Sequence, residues 1–333
     1  MTIQGYAALA AKEKLVPFSY TNEKLQDHEV NIKISHCGLC HSDVHLIDDD
    51  WGFGGYPLMP GHEVIGTVTE KGSKVAHLEI GQRVGVGWQC SSCYECSSCT
   101  TGDEQLCVKS TATAVGHYGG FANYTRSDAR FAIPIPDSLP SEQAAPLLCG
   151  GITVYNPLRN YNIRPDMKVA VVGIGGLGHL AVQFYRAYGC EVTAISHSDN
   201  KKEEALEFGA HKFFNSRNND YKDLHNYFDF ILTTPQVDLN WLGLVNALKP
   251  KGKLCLVGVA KNITIPIQPL IMGQKSLVTS LVGSPARIHE MLEFAARQRV
   301  LAKTELFKLS QVNEAIQKVR DNTVRYRAVL DCK

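Results

Sequence analysis

The stretch "KVAVVGIGGLGHLAVQFYRAYGCEVTAIS", Lys168 to Ser196, restricts the architecture more than any other part of the chain. A short apolar run meets four glycines, Gly173, Gly175, Gly176 and Gly178. An apolar period near 3.6 follows, and then a second apolar run. That order predicts a buried strand, a tight turn, a helix and the next strand. The alternation continues. "KKEEALEFGA" predicts a helix, "FDFILTT" a strand, "LNWLGLVNALKPKG" a helix ending at Gly252, and "KLCLVGV" a strand. Strands and helices alternating with short links imply an α/β fold with a parallel, doubly wound sheet.

The chain before this stretch has a different grain. Residues 28 to 150 are rich in β and turn signals, and "EVNIKI" alternates apolar and polar residues from Val30 to Ile34, as a half-buried strand does. With 333 residues, two domains are expected, one over 1–147 and one over 148–283. Beyond residue 284, "PARIHEMLEFAARQR" and "LSQVNEAIQKVRDN" predict helices and "YRAVLDC" a closing strand. Net charge is +1 with no block of like charges, which argues against nucleic acid or a membrane surface as partner. The N-terminus lacks a signal-peptide layout, and four glycines interrupt the longest apolar stretch. A cytoplasmic location is expected.

In a reducing compartment, clustered cysteines point to metal rather than to disulfides. "CSSCYECSSCTTGDEQLC", Cys90 to Cys107, holds five thiols. Cys-x2-Cys spacing lets two sulfurs converge on one zinc ion, at about 2.3 Å from each. Two quartets satisfy that geometry: Cys90, Cys93, Cys96 and Cys99, or Cys93, Cys96, Cys99 and Cys107. Spacing does not choose between them.

The glycine loop carries a second ligand signal. GxGxxG directly after a buried strand permits a tight turn and close approach of backbone N–H groups to a pyrophosphate. A carboxylate about twenty residues on would suit a free ribose and repel a 2′-phosphate. Here the strand runs into "TAISHSDNKK", offering Ser196, His197, Ser198 and Lys201, with Asp199 as the dissenting charge. Hydroxyls and an ammonium favour NADP(H).

"CGLCHSDVH" (37–45), "MPGHEVIG" (59–66) and "PLLCGG" (146–151) resemble the zinc-dependent medium-chain dehydrogenase/reductase superfamily, and most closely its cinnamyl alcohol dehydrogenase-like branch, which includes bacterial aldehyde reductases. The resemblance implies a β-rich GroES-like catalytic domain with a structural zinc lobe, completed by residues 284–333, beside a Rossmann domain. It implies two zinc ions per chain. Cys93, Cys96, Cys99 and Cys107 would hold the structural ion, leaving Cys90 spare. Cys40, His62 and Cys149 would hold the catalytic one, with Cys37 outside the set. Asp43 would orient the His62 ring, and Glu63 matches a carboxylate able to approach the metal. Ser42 and His45 would relay a proton, and Arg327 would contact the cofactor pyrophosphate. Trp51 and Phe53 are candidate pocket walls or core residues, and the pocket is expected in the cleft between the domains.

The implied activity is hydride transfer between NADPH and an aldehyde or primary alcohol, in a homodimer. A NAD-linked polyol or amino-alcohol dehydrogenase would share both zinc sites, but an acidic residue at the strand end would have favoured it. A non-enzymatic, zinc-stabilised nucleotide-binding protein would not need Cys40, His62, Cys149, Ser42 and His45 all in place.

Overall fold

The computed structural model describes residues 2–217, 221–259 and 262–333. The chain divides into two compact units: Met1–Ile152 with Val282–Lys333, and Thr153–Leu281. The helix Gly150–Asn160 carries the chain across the first division, so that division falls inside an element, just beyond the expected one between residues 147 and 148.

The first unit is built on a seven-stranded sheet. Its order is Thr304–Lys308, Arg327–Asp331, Glu29–Leu39, Glu63–Lys71, Arg83–Val86 and Ile133–Pro134, with Tyr124–Asp128 also pairing to Glu29–Leu39. In the central strand Val30, Ile32 and Ile34 are buried and Lys33 is exposed, as alternation predicts. Asn31 breaks the pattern. It is buried because its side chain is satisfied: the amide donates to Glu70 Oε2 at 2.6 Å, and its oxygen accepts from Arg126 Nε at 3.0 Å. The expected closing strand forms as Arg327–Asp331 and lies antiparallel to Glu29–Leu39, with Ala328 opposite Leu39. This pairing carries residues from the far end of the chain to the strand that precedes Cys40.

The second unit is a six-stranded parallel sheet ordered Lys212–Asn215, Glu191–Ser196, Lys168–Val172, Phe228–Thr233, Leu248–Leu256, Ser276–Thr279. Counted within the unit the order is 3-2-1-4-5-6, the doubly wound Rossmann arrangement. One element differs from expectation. The helix expected to end at Gly252 spans only Trp241–Ala247, and Leu248–Leu256 is strand. Pro250 disfavours helical backbone at Lys249. Leu248 is fully buried opposite Phe228, and the Lys249 ammonium pairs with Asp229 at 2.9 Å.

Candidate active site and metal centres

Four sulfurs converge in the lobe that follows the strand Gln89–Ser91. Cys93, Cys96, Cys99 and Cys107 all lie within 4.8 Å of one another. Cys93 and Cys107 are 3.5 Å apart, Cys96 and Cys99 3.6 Å, Cys93 and Cys99 3.9 Å. A tetrahedron with metal–sulfur bonds of about 2.3 Å spaces its sulfurs about 3.8 Å apart, so the quartet fits zinc closely. Cys90 belongs elsewhere. It is buried in the hydrophobic core, its thiol 3.6 Å from the Thr111 carbonyl, and burial pushes its pKa up to about 12. The sequence left two quartets open; the geometry assembles the second.

A separate cluster gathers Cys40, His62, Glu63 and Cys149, all buried and within 4.8 Å of one another. Cys40 is the N-cap of the helix His41–Asp48, and Asp43 lies three residues into it. The Asp43 carboxylate is wholly buried and accepts three hydrogen bonds: from the Cys40 amide, the Gly61 amide and His62 Nδ1, each at 2.9 Å. With Nδ1 committed, Nε2 faces Cys149 Sγ at 3.2 Å. That is how a carboxylate fixes the tautomer and ring orientation of a metal-ligating histidine. Burial disfavours a charged His62, but Asp43 and Cys40 together outweigh it and raise the ring's pKa well above the ordinary value. A hydrogen bond from Cys149 holds Cys40 well below the usual thiol range, and the same bond raises Cys149. Ligation needs both sulfurs as thiolates, so metal uptake would release protons.

Glu63 completes the cluster. Its Oε1 accepts from the Arg327 guanidinium, whereas Oε2 has no partner among the described residues. Burial raises its pKa, with Arg327 pulling the other way. Gly38, opposite Glu63 in the strand register, makes the arrangement possible: a Cβ there would sit 1.9 Å from Oε2. Three soft or borderline donors with one unpaired carboxylate oxygen beside them suit a zinc ion that keeps a position open. Arg327 lies in this cluster, its Nε without a partner among the described residues.

The Ser42 hydroxyl lies 3.7 Å from Cys40 Sγ. One turn on, His45 Nδ1 is 2.7 Å from Asp50 Oδ2, a pairing that motif reading missed because it depends on the chain folding back after the helix. Trp88 was also missed. It meets the His62 ring edge-on with centroids 5.0 Å apart, and Trp51 at 6.2 Å. Trp51 in turn meets His45 at 5.1 Å and Phe53 at 5.8 Å. Trp51 is half-buried and Phe53 exposed, so Phe53 is not a core residue.

In the second unit the glycines divide by role. A Cβ on Gly178 would lie 1.8 Å from the Gly173 carbonyl oxygen, and one on Gly173 would meet Pro235 at 2.6 Å. The fold itself demands those two. Gly175 has nothing within 4 Å of such an atom, so its missing side chain leaves space for something the chain does not supply. This matches backbone that a pyrophosphate approaches. The Ser196 hydroxyl, at the end of its strand, accepts from the Ser198 amide at 3.4 Å; His197 is exposed, and Lys201 closes a 3₁₀ turn over Asp199–Lys201.

Comparison with known proteins agrees with this chemistry. Residues 26–137 match the alcohol dehydrogenase GroES-like domain, and residues 176–297 the zinc-binding dehydrogenase family. The chain is 44% identical to aldehyde reductase AdhA of Synechocystis over 330 residues, covering 98% of each protein. Its fold is similar to a cinnamyl alcohol dehydrogenase from Sorghum bicolor, with a TM-score of 0.96 and 38% identity over 100% of this chain and 98% of that one. It is also similar to a Helicobacter pylori cinnamyl alcohol dehydrogenase solved with NADP(H), with a TM-score of 0.92 and 30% identity over 99% of this chain and 98% of that one.

Proposed function

Because the chain belongs to the zinc-dependent medium-chain dehydrogenase/reductase superfamily, in its cinnamyl alcohol dehydrogenase-like branch, we propose that it is an NADPH-linked aldehyde reductase and alcohol dehydrogenase. The observation that carries this reading is the buried Cys40–His62–Cys149 set, with Asp43 orienting its histidine. When bound, zinc supplies Lewis-acid polarisation of the substrate carbonyl and NADPH supplies the hydride. The chain's own residues do the rest. Cys40, His62 and Cys149 hold the catalytic ion, and Cys93, Cys96, Cys99 and Cys107 the structural one.

Asp43 accepts from His62 Nδ1–H, which fixes the ring's orientation and makes Nε2 the ligating atom of the neutral imidazole. Arg327 compensates the buried Glu63 carboxylate, whose unpaired Oε2 would lie beside a bound ion. Ser42 and His45 pass the proton that carbonyl reduction consumes, and Asp50 holds the His45 ring by Nδ1. Trp51 and Trp88 wall the site with apolar surface, which suits aromatic or medium-length aliphatic aldehydes.

The glycine loop, Gly173 to Gly178, is the dinucleotide site: Gly173 and Gly178 permit its tight turn and packing, and Gly175 leaves the backbone open to the pyrophosphate. Ser196, His197, Ser198 and Lys201 lie at the adenosine ribose. A homodimer through the parallel-sheet unit fits the exposed Leu277 on the edge strand Ser276–Thr279, and the exposed Ile267, Ile271 and Met272 beside it. Among the described residues no helix is long and apolar enough to cross a membrane.

A screen of aldehydes, ketones and polyols against NADPH and NADH, followed at the nicotinamide absorbance, tests the reading. Aldehyde-dependent oxidation of NADPH is expected. Activity confined to NAD with polyols would replace the reading with its closest rival, and no turnover with any pair would point to a binding protein.

A further inference from the structure

The strand order of the parallel sheet sets out the dinucleotide's expected contacts in sequence. The glycine loop ends the first strand, Lys168–Val172, and Ser196 ends the second, Glu191–Ser196. The third, Lys212–Asn215, lies outermost on that side, so its end borders whatever extends past the ribose. Ser196 stands opposite Asn215, and the Ser216 amide donates to the Ser196 carbonyl at 2.8 Å. The next residue is Arg217. Its amide is pinned to Asn215 Oδ1 at 2.9 Å, which fixes where its side chain departs. The residue is exposed, and its guanidinium has no hydrogen bond or ion pair with another described residue. The backbone that carries this cation thus continues from a strand lying about one strand spacing, about 4.8 Å, from the one that ends at Ser196.

We propose that Arg217 reads the 2′-phosphate of NADPH from the outer side, as a second specificity-determining cation beside Lys201. The proposal rests on the NADPH reading above. A guanidinium presents paired N–H donors that match phosphate oxygens, which an ammonium does not, so Arg217 would supply orientation as well as charge. Asp199, on the turn after Ser198, makes this second cation the more necessary. With Lys201 alone, the site would carry one positive and one negative charge against a dianionic group.

The test is direct binding of NADPH, NADH, 2′-AMP and 5′-AMP to the full-length enzyme and to Arg217→Ala and Arg217→Lys. Arg217→Ala should weaken NADPH and 2′-AMP about tenfold, the lower end for a bond to a charged group at an exposed site. NADH and 5′-AMP should be unaffected, and the wild-type advantage should shrink as salt rises. Arg217→Lys should fall between, retaining charge without the fork. Thermal unfolding without nucleotide should not move. Equal losses on all four probes would overturn the proposal, by placing Arg217 against the adenine or in the fold. An unchanged preference for NADPH in Arg217→Ala would overturn it while leaving the NADPH reading standing. A wild-type enzyme without that preference would remove the parent reading and this one with it.

Discussion

Cys107 and Cys90 are both buried, yet they differ in what a serine would cost. Cys107 has three sulfur neighbours; Cys90 has a carbonyl and apolar side chains. Cys107→Ser should therefore halve the zinc content and impair folding, because losing a thiolate forfeits part of the metal's folding energy. Cys90→Ser should leave zinc content and stability nearly unchanged. Metal analysis and thermal unfolding of both variants decide, and loss of zinc from Cys90→Ser would contradict the assignment. Gly38→Ala makes a second test. The new methyl would collide with Glu63 Oε2, so the carboxylate must shift and the Arg327 pair with it. Breaking a buried ion pair costs about 3–5 kcal/mol. A melting temperature lowered sharply in Gly38→Ala is expected; unchanged stability would show that Glu63 has another place to go. The ligands were legible in the sequence because short spacing binds them locally. Gly38, Asp50 and Trp88 were not, because each acquires its partner only through strand register or a chain reversal.

At the scale of elements, the two metal sites are built differently. The lobe's four sulfurs come from one short segment and close on themselves, while the other site draws on a helix N-cap, the start of a strand and the residue before the helix Gly150–Asn160. The second set leaves room for an exchangeable ligand, so a gentle chelator should abolish turnover before it unfolds the protein, and added zinc should restore it. Acidification should also strip metal, because protons compete for thiolates and imidazole as pH falls. Loss of structure before loss of turnover would reverse the two roles. The strand–turn–helix unit at Lys168–Tyr188 was readable because glycine chemistry and periodicity are local signals. The end of the helix at Ala247 was not, because Leu248 is claimed by a partner twenty residues earlier, Phe228. Likewise "YRAVLDC" announced a strand, but nothing in it told that its neighbour would be Glu29–Leu39.

For the whole molecule, the exposed edge strand and its apolar surroundings predict association. Sedimentation should show a dimer, and Leu277→Glu should shift it towards monomer; a wild-type monomer at all concentrations would contradict this. The central claim is that one zinc serves folding and the other serves aldehyde reduction. Zinc stoichiometry and aldehyde-dependent NADPH oxidation, measured together on the wild type and Cys149→Ser, test it most directly. The account predicts two zinc ions per wild-type chain with turnover, and a folded Cys149→Ser that keeps the lobe's zinc but turns over at least about 100-fold more slowly, because it would hold poorly the ion that stabilises the developing charge. Full activity in chains holding a single zinc, or an undiminished rate in Cys149→Ser, would contradict it.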